Sequence, residues 1–155
     1  MKIHLIFVGK TVFPEMEDGI QRYLDRLQHY APVQVHVVKP EKMGKKMDAD
    51  RVKEKEGQKI LHLPRPQDTL IAWDERGRQM TSGEFADLLS RMQLSSWDLW
   101  MAVGGPLGLS DEVRRKANHI LSLSKMTLPH DLARLVIVEQ LYRAFTILRG
   151  EPYHK

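Results

Sequence analysis

The sequence predicts a single α/β domain spanning residues 1–155, built on a mostly parallel sheet flanked by helices. Three observations predict it. Five short apolar runs are nearly continuous in Ile, Leu and Val, as expected of strands covered on both faces. Segments with apolar residues three and four apart separate those runs, giving strand–helix alternation. A chain of 155 residues suits one domain and can bury a real core.

The elements follow in order. "KIHLIFVG" (2–9) reads as the first strand. Pro14 to about Tyr30 carries Met16, Ile20, Tyr23, Leu24 and Leu27 at helical spacing. "VQVHVVK" (33–39) alternates, with Val33, Val35 and Val37 on one side, which suits an edge strand. Asp48 to about Leu63 is a highly charged helix with a narrow apolar stripe. "TLIAWD" (69–74) is a third strand, and Thr81 with Glu84 forms a capping box that starts a helix running to Leu94. "LWMAVGG" (99–105) is the fourth strand; Ser110, followed by Asp111 and Glu112, caps the next helix. "HILSLSKM" (119–126) is the fifth, and the last helix runs from about Asp131 to Leu148 after Pro129.

Composition narrows the function classes. The chain has no cysteine, which excludes disulfides and thiolate metal sites and fits a reducing compartment. The apolar run before Gly9 is too short for a signal segment or a membrane span, so a cytoplasmic location is expected. The net charge of +4 is compatible with a nucleic-acid partner without establishing one. The lysine-rich stretch 39–59 reads either as a solvated face or as a mobile basic arm over an RNA backbone. No histidine spacing suits a metal, and none is expected.

Two strand ends stand out where α/β sheets place ligands: Asp74 after "TLIAW", and Gly104, Gly105, Pro106 and Gly108 after the fourth strand. The glycines suit a tight turn as well as a ligand loop. A Walker loop needs a lysine that "GLS" (108–110) lacks. A dinucleotide fingerprint fails at Pro106 and Leu109, and a nucleophile elbow fails at Glu112. Bare backbone without a phosphate-binding cation suits a nucleoside without phosphates. A second unusual segment, "SKMTLPH" (124–130), separates the fifth strand from its helix; Pro129 holds Leu128 extended. It reads as an ordinary connection or as the other wall of a pocket.

The last helix is apolar on nearly every side, which suits a dimer interface or a central core helix. Glu139 and Arg143 are spaced for an intrahelical pair, or Arg143 faces substrate. Tyr153 and His154 belong to a frayed tail or to a docked lid. His130 is a capping or pocket-wall histidine, or a proton relay.

"GGPLGLS" and "LSLSKMTLPHDLARLVIVEQLYRAFTILRGEPYHK" closely resemble the SPOUT (α/β-knot) methyltransferases. The nearest branch is the small bacterial one that methylates N3 of a pseudouridine in large-subunit (23S) ribosomal RNA. The resemblance covers the whole chain. It implies a C-terminal deep trefoil knot, which topology rules alone argue against. It also implies a homodimer with the site near the interface and S-adenosyl-L-methionine as cofactor. Carried over by position, Trp73, Gly104, Gly105, Leu123, Ser124, Lys125, Met126, Thr127 and Leu128 line the cofactor pocket. His130, Arg143, Tyr153 and His154 are the catalytic candidates.

The resemblance makes the expected reaction methyl transfer to pseudouridine N3, on the assembled ribosome rather than on free RNA. Arg114, Arg115, Lys116 and the lysines around Lys45 are candidate phosphate contacts. Two rivals stand beside it: an RNA-binding assembly factor that has lost the cofactor, and a nucleotide-dependent oxidoreductase weakened by the failed fingerprint.

Overall fold

The computed structural model describes residues 1–155 as ten elements in strict alternation. They are β1 (Ile3–Val8), α1 (Pro14–Leu27), β2 (Val33–Val38), α2 (Ala49–Leu61) and β3 (Thr69–Gln79), then α3 (Ser82–Gln93), β4 (Leu99–Val103), α4 (Asp111–Lys116), β5 (His119–Ser122) and α5 (His130–Leu148). The sheet has the order β2-β1-β4-β3-β5 and every pairing is parallel.

Burial explains the continuous apolar runs. All six residues of β1 and all five of β4 are buried. On β1, Ile3, Leu5 and Phe7 face a core shared with α1, α3 and α5, whereas Ile6 and Val8 face a smaller core that includes residues of α2 and α4. β2 is an edge strand, as its alternation predicts. The Thr81–Glu84 capping box and the Ser110 cap are both formed. α5 packs against both α1 and α3. Ile137, Val138, Leu141, Ala144 and Phe145 are therefore buried within one protomer, which accounts for much of the all-round apolarity of α5.

Two strand ends differ from expectation. β3 runs on to Gln79, but its pairing with β5 jumps from Trp73 to Arg78, both opposite Leu121. Residues 74–77 bulge out of the ladder, which takes their charges off the sheet. β5 stops at Ser122 instead of reaching Met126. There the Ser122 hydroxyl donates to the Ser124 carbonyl, and the Ser124 hydroxyl accepts from the Met126 N–H, at 2.8 and 2.9 Å. These local bonds compete with the ladder and turn the chain away.

Toward the amino ends of the strands lies a polar network. The Asp68 carboxylate accepts the Trp100 indole N–H at 3.0 Å and is bonded by the main chain and guanidinium of Arg65. Burial pushes its carboxyl up, but the Arg65, Trp100 and Asp98 bonds outweigh this and hold it at about 2. His4 stacks on Trp100 with ring centroids 3.9 Å apart, and its Nδ1 lies 2.9 Å from His36 Nε2.

Candidate cofactor and substrate site

A cavity of about 240 Å³ opens at the carboxyl ends of the strands. Its walls come from the end of β3, the turn after β4, the segment after β5 and the first turns of α5. Of the expected cofactor residues, Trp73, Gly104, Gly105, Leu123, Ser124, Met126, Thr127 and Leu128 line it, and so does His130. Lys125 does not: the serine turn that ends β5 leaves its neighbours on the wall and takes Lys125 off it.

The glycine turn is tight because little else fits. The Gly108 N–H donates to the Gly105 carbonyl at 2.9 Å, and Gly108 has a φ of 82°, which favours glycine. The amides of Gly104 and Leu107 make no hydrogen bond within the protein, nor do those of Thr127 and Leu128. The indole Nε1 of Trp73 is buried without a partner. Backbone groups are seldom left unpaired away from water, so these donors, on facing walls, are available to a ligand.

The sequence reading marks the Asp74 strand end but not the charged rim that continues from it. Asp74, Glu75 and Arg76 sit on the bulge and line the cavity. Arg76 Nε bonds Asp74 Oδ1 at 3.1 Å, and Arg114 Nη1 reaches Asp74 Oδ2 at 3.2 Å. Burial pushes the Asp74 carboxyl up; the Arg76 bonds and Arg114 charge outweigh it and hold it below its ordinary value. Glu75 accepts the Thr127 hydroxyl at 2.6 Å, joining two walls. Asp74 is thus matched by two guanidiniums, and Glu75 is the rim carboxylate without an ion pair. The run "DERGR" directly after an apolar strand was the available signal.

Arg114 is corrected as a phosphate contact: it is mostly buried, pairing with Asp74 and Asp111 and donating to the Leu109 carbonyl. Lys116 pairs with Glu112 at 3.0 Å.

Arg143, Tyr153 and His154 gather at the other end of α5. Arg143 bonds Glu139 through Nε and Nη2 at 3.0 and 2.6 Å, and its Nη1 lies 3.2 Å from His154 Nδ1. The Tyr153 hydroxyl donates to Glu139 Oε1 at 3.0 Å and lies 3.3 Å from the Tyr23 hydroxyl. The tail is thus docked on α1 and α5. Burial, then the Tyr23 and Glu139 bonds, push the Tyr153 phenol up, so its proton is firmly held. His130 and Arg143 stand thirteen residues apart on α5, about 20 Å along a helix.

A family profile described as "Predicted SPOUT methyltransferase" matches residues 1–154, and the chain belongs to that family. It is 54% identical over 157 residues to Ribosomal RNA large subunit methyltransferase H of Syntrophobacter fumaroxidans, covering 100% of both chains. The protein of that name from Syntrophotalea carbinolica is 46% identical, with 99% of each chain covered. The fold is similar to the structure of a probable methylase family protein from Haemophilus influenzae Rd KW20. That likeness has a TM-score of 0.54 at 15% identity and covers 99% of this chain and 70% of that one. No helix is long and apolar enough to cross a membrane, and no His, Cys, Asp and Glu cluster could hold a metal.

Proposed function

We infer that this chain methylates large-subunit ribosomal RNA in the bacterial cytoplasm, with S-adenosyl-L-methionine as methyl donor and N3 of a pseudouridine as acceptor. The cavity carries this reading: two main-chain segments with unclaimed amides face each other beside Glu75, a rim carboxylate without an ion pair. Adenosine offers acceptors to those amides, and a sulfonium with an ammonium outweighs the single carboxylate of that cofactor, so the rim charge suits it. The cofactor supplies an electrophilic methyl group. The glycine turn, Leu123, Ser124, Met126, Thr127 and Leu128 would hold it, with Trp73 closing one side.

The protein's own task is to let the imide N3–H proton leave, to a side chain or to water, as the methyl group arrives, and to align the base; positioning alone supplies several kcal/mol or more. Within one protomer His130 faces the cavity, and Arg143, Tyr153 and His154 do not. A helix cannot shorten the span between them, so a homodimer that brings one copy's tail to the partner's cavity is the arrangement that unites these groups. Half-buried Leu132, Leu135 and Val136 on α5 offer it an apolar surface. Arg143 then stabilises the imidate anion. The exposed lysines Lys42, Lys45 and Lys46 in the turn before α2 supply phosphate contacts, which predicts salt-dependent affinity. The reading includes the C-terminal knot, supported by the way residues 104–109 and 123–128 close around one space.

Mass spectrometry of ribosomal RNA from cells with and without this protein tests the reading: one methylated pseudouridine should vanish on deletion. Assembled ribosomes should react and protein-free transcript hardly at all. Gly104→Ala and Arg143→Ala chains should each be inactive and regain activity when mixed; no regain would exclude a site shared between copies. A folded protein that binds ribosomes but never takes up radiolabelled cofactor would favour a non-enzymatic assembly factor.

A further inference from the structure

Glu56 is a buried carboxylate that the proposed reaction does not use. It lies on α2 and is 5% exposed. Its Oε2 accepts the main-chain N–H of Glu41 at 3.0 Å. Its Oε1 lies beneath the glycine turn, 3.9 Å from where a Cβ on Gly105 would stand. Burial pushes its carboxyl up, and the Glu41 N–H bond offsets part of that. A carboxylate is costly to bury without several partners.

The neighbours of Glu56 tie the same two regions. Gly57 leaves no clearance to the residue that ends the glycine turn: a Cβ there would stand 2.4 Å from Ser110 Oγ. One turn later, Lys59 Nζ donates to the Lys39 carbonyl at 2.9 Å and to Glu41 Oε1 at 2.7 Å. One stretch of α2 thus grips the lysine-rich turn 39–47 on one side and the glycine turn on the other. Glu41, the only acid in that turn, is taken by Lys59, which leaves Lys42, Lys45 and Lys46 exposed to an outside anion.

We propose that Glu56 is a positioning residue that couples the two turns, so that a polyanion held by the lysines tightens cofactor binding at the glycines. The inference rests on the reading above, in which RNA meets the first turn and adenosine the second. Phosphates on the lysines still the 39–47 turn and fix the Glu41 N–H on the carboxylate, which in turn steadies Gly105. A loop already ordered loses less entropy when it takes its ligand. By linkage, cofactor also tightens RNA binding by the same factor.

Equilibrium binding of radiolabelled S-adenosyl-L-methionine, with and without unmodified large ribosomal subunits, tests this. Subunits should tighten binding by the native chain about three- to tenfold. Glu56→Ala should abolish that gain while leaving subunit-free affinity within about threefold. Glu56→Gln, whose amide oxygen still accepts the Glu41 N–H, should keep most of it. Lys59→Met removes no buried group, so it decides the matter if Glu56→Ala does not fold; it should weaken the gain. Deuterium uptake at 104–109 in the cofactor-free protein should fall on adding subunits in the native chain and in Glu56→Gln only. The proposal is overturned if subunits leave native affinity unchanged, if Lys59→Met and Glu56→Ala couple like the native chain, or if Glu56→Ala loses affinity equally with and without subunits. A native chain that methylates subunits but shows no coupling overturns this inference alone; one that binds neither cofactor nor subunit overturns the functional reading.

Discussion

A Cβ on Gly104 would stand 2.7 Å from the carbonyl carbon of Gly108 and 2.9 Å from its oxygen. Both atoms are backbone, so the turn itself must open. Gly104→Ala should therefore lower cofactor affinity at least about tenfold, or ~1.4 kcal/mol, with little change in the circular dichroism of the folded protein. Gly57 is a different case, because the atom it meets is a side-chain oxygen. Gly57→Ala should cost about 1–3 kcal/mol of overpacking, read by urea unfolding. Ser110→Ala alone should cost about 1 kcal/mol through its lost cap. The double substitution should cost less than the sum, since removing the hydroxyl removes the clash. At this scale the sequence revealed glycines and a strand end, but not why each glycine is needed. Gly57 sits in an unremarkable charged helix, and its contact is made to a residue fifty-three positions away. Lys125 lay inside a motif whose other members do line the cavity; only the serine turn separates it from them.

At the scale of elements, β3 and α5 carry most of the difference between pattern and structure. Periodicity ends β3 where its apolar residues end, at Asp74, yet the strand resumes after a bulge whose charged residues form the cavity rim. A hydrophobic pattern cannot announce a bulge made of polar residues. The apolar surface of α5 was legible, but the sequence could not divide it between its own core and a second copy. In the structure the α1 and α3 contacts claim much of it. The tail resolves differently from an ordinary frayed terminus, because Glu139 collects both Arg143 and Tyr153. Tyr153→Phe removes the hydroxyl that meets Glu139 and Tyr23. It should destabilise the fold by only about 1 kcal/mol while speeding carboxypeptidase trimming of the last residues several-fold. Unchanged trimming would mean that the tail is held by ring packing on Tyr142 rather than by these bonds.

For the whole molecule, the two ends of the sheet have separate tasks, and pH distinguishes them. The carboxyl ends carry the cavity; the amino ends carry the Asp68–Trp100–His4–His36 network. Burial holds His4 below the ordinary 6.5, with the Asp98 bond opposing it. Burial, then the charges of His4 and Lys2, hold His36 below it as well. The unfolded chain therefore takes up protons near that ordinary value while the folded chain resists them. Stability from this pair is full above the unfolded value and is lost as pH falls through it toward the folded values. His119, also lowered by burial and by Arg91, adds in the same direction. Asp68 acts later: its stabilisation is full above the ordinary 3.8 and is lost as pH falls from there to about 2. Urea unfolding should accordingly show a plateau above neutrality, a first decline below about pH 6.5 and a second below about pH 4. His36→Gln places an amide N–H where Nε2 meets His4 but cannot titrate, so it should lessen the first decline and leave the second in place. If the first decline is as steep in His36→Gln as in the native chain, the histidine pair is not its source. His119, whose imidazole is lowered in the same direction, would then be the next residue to substitute.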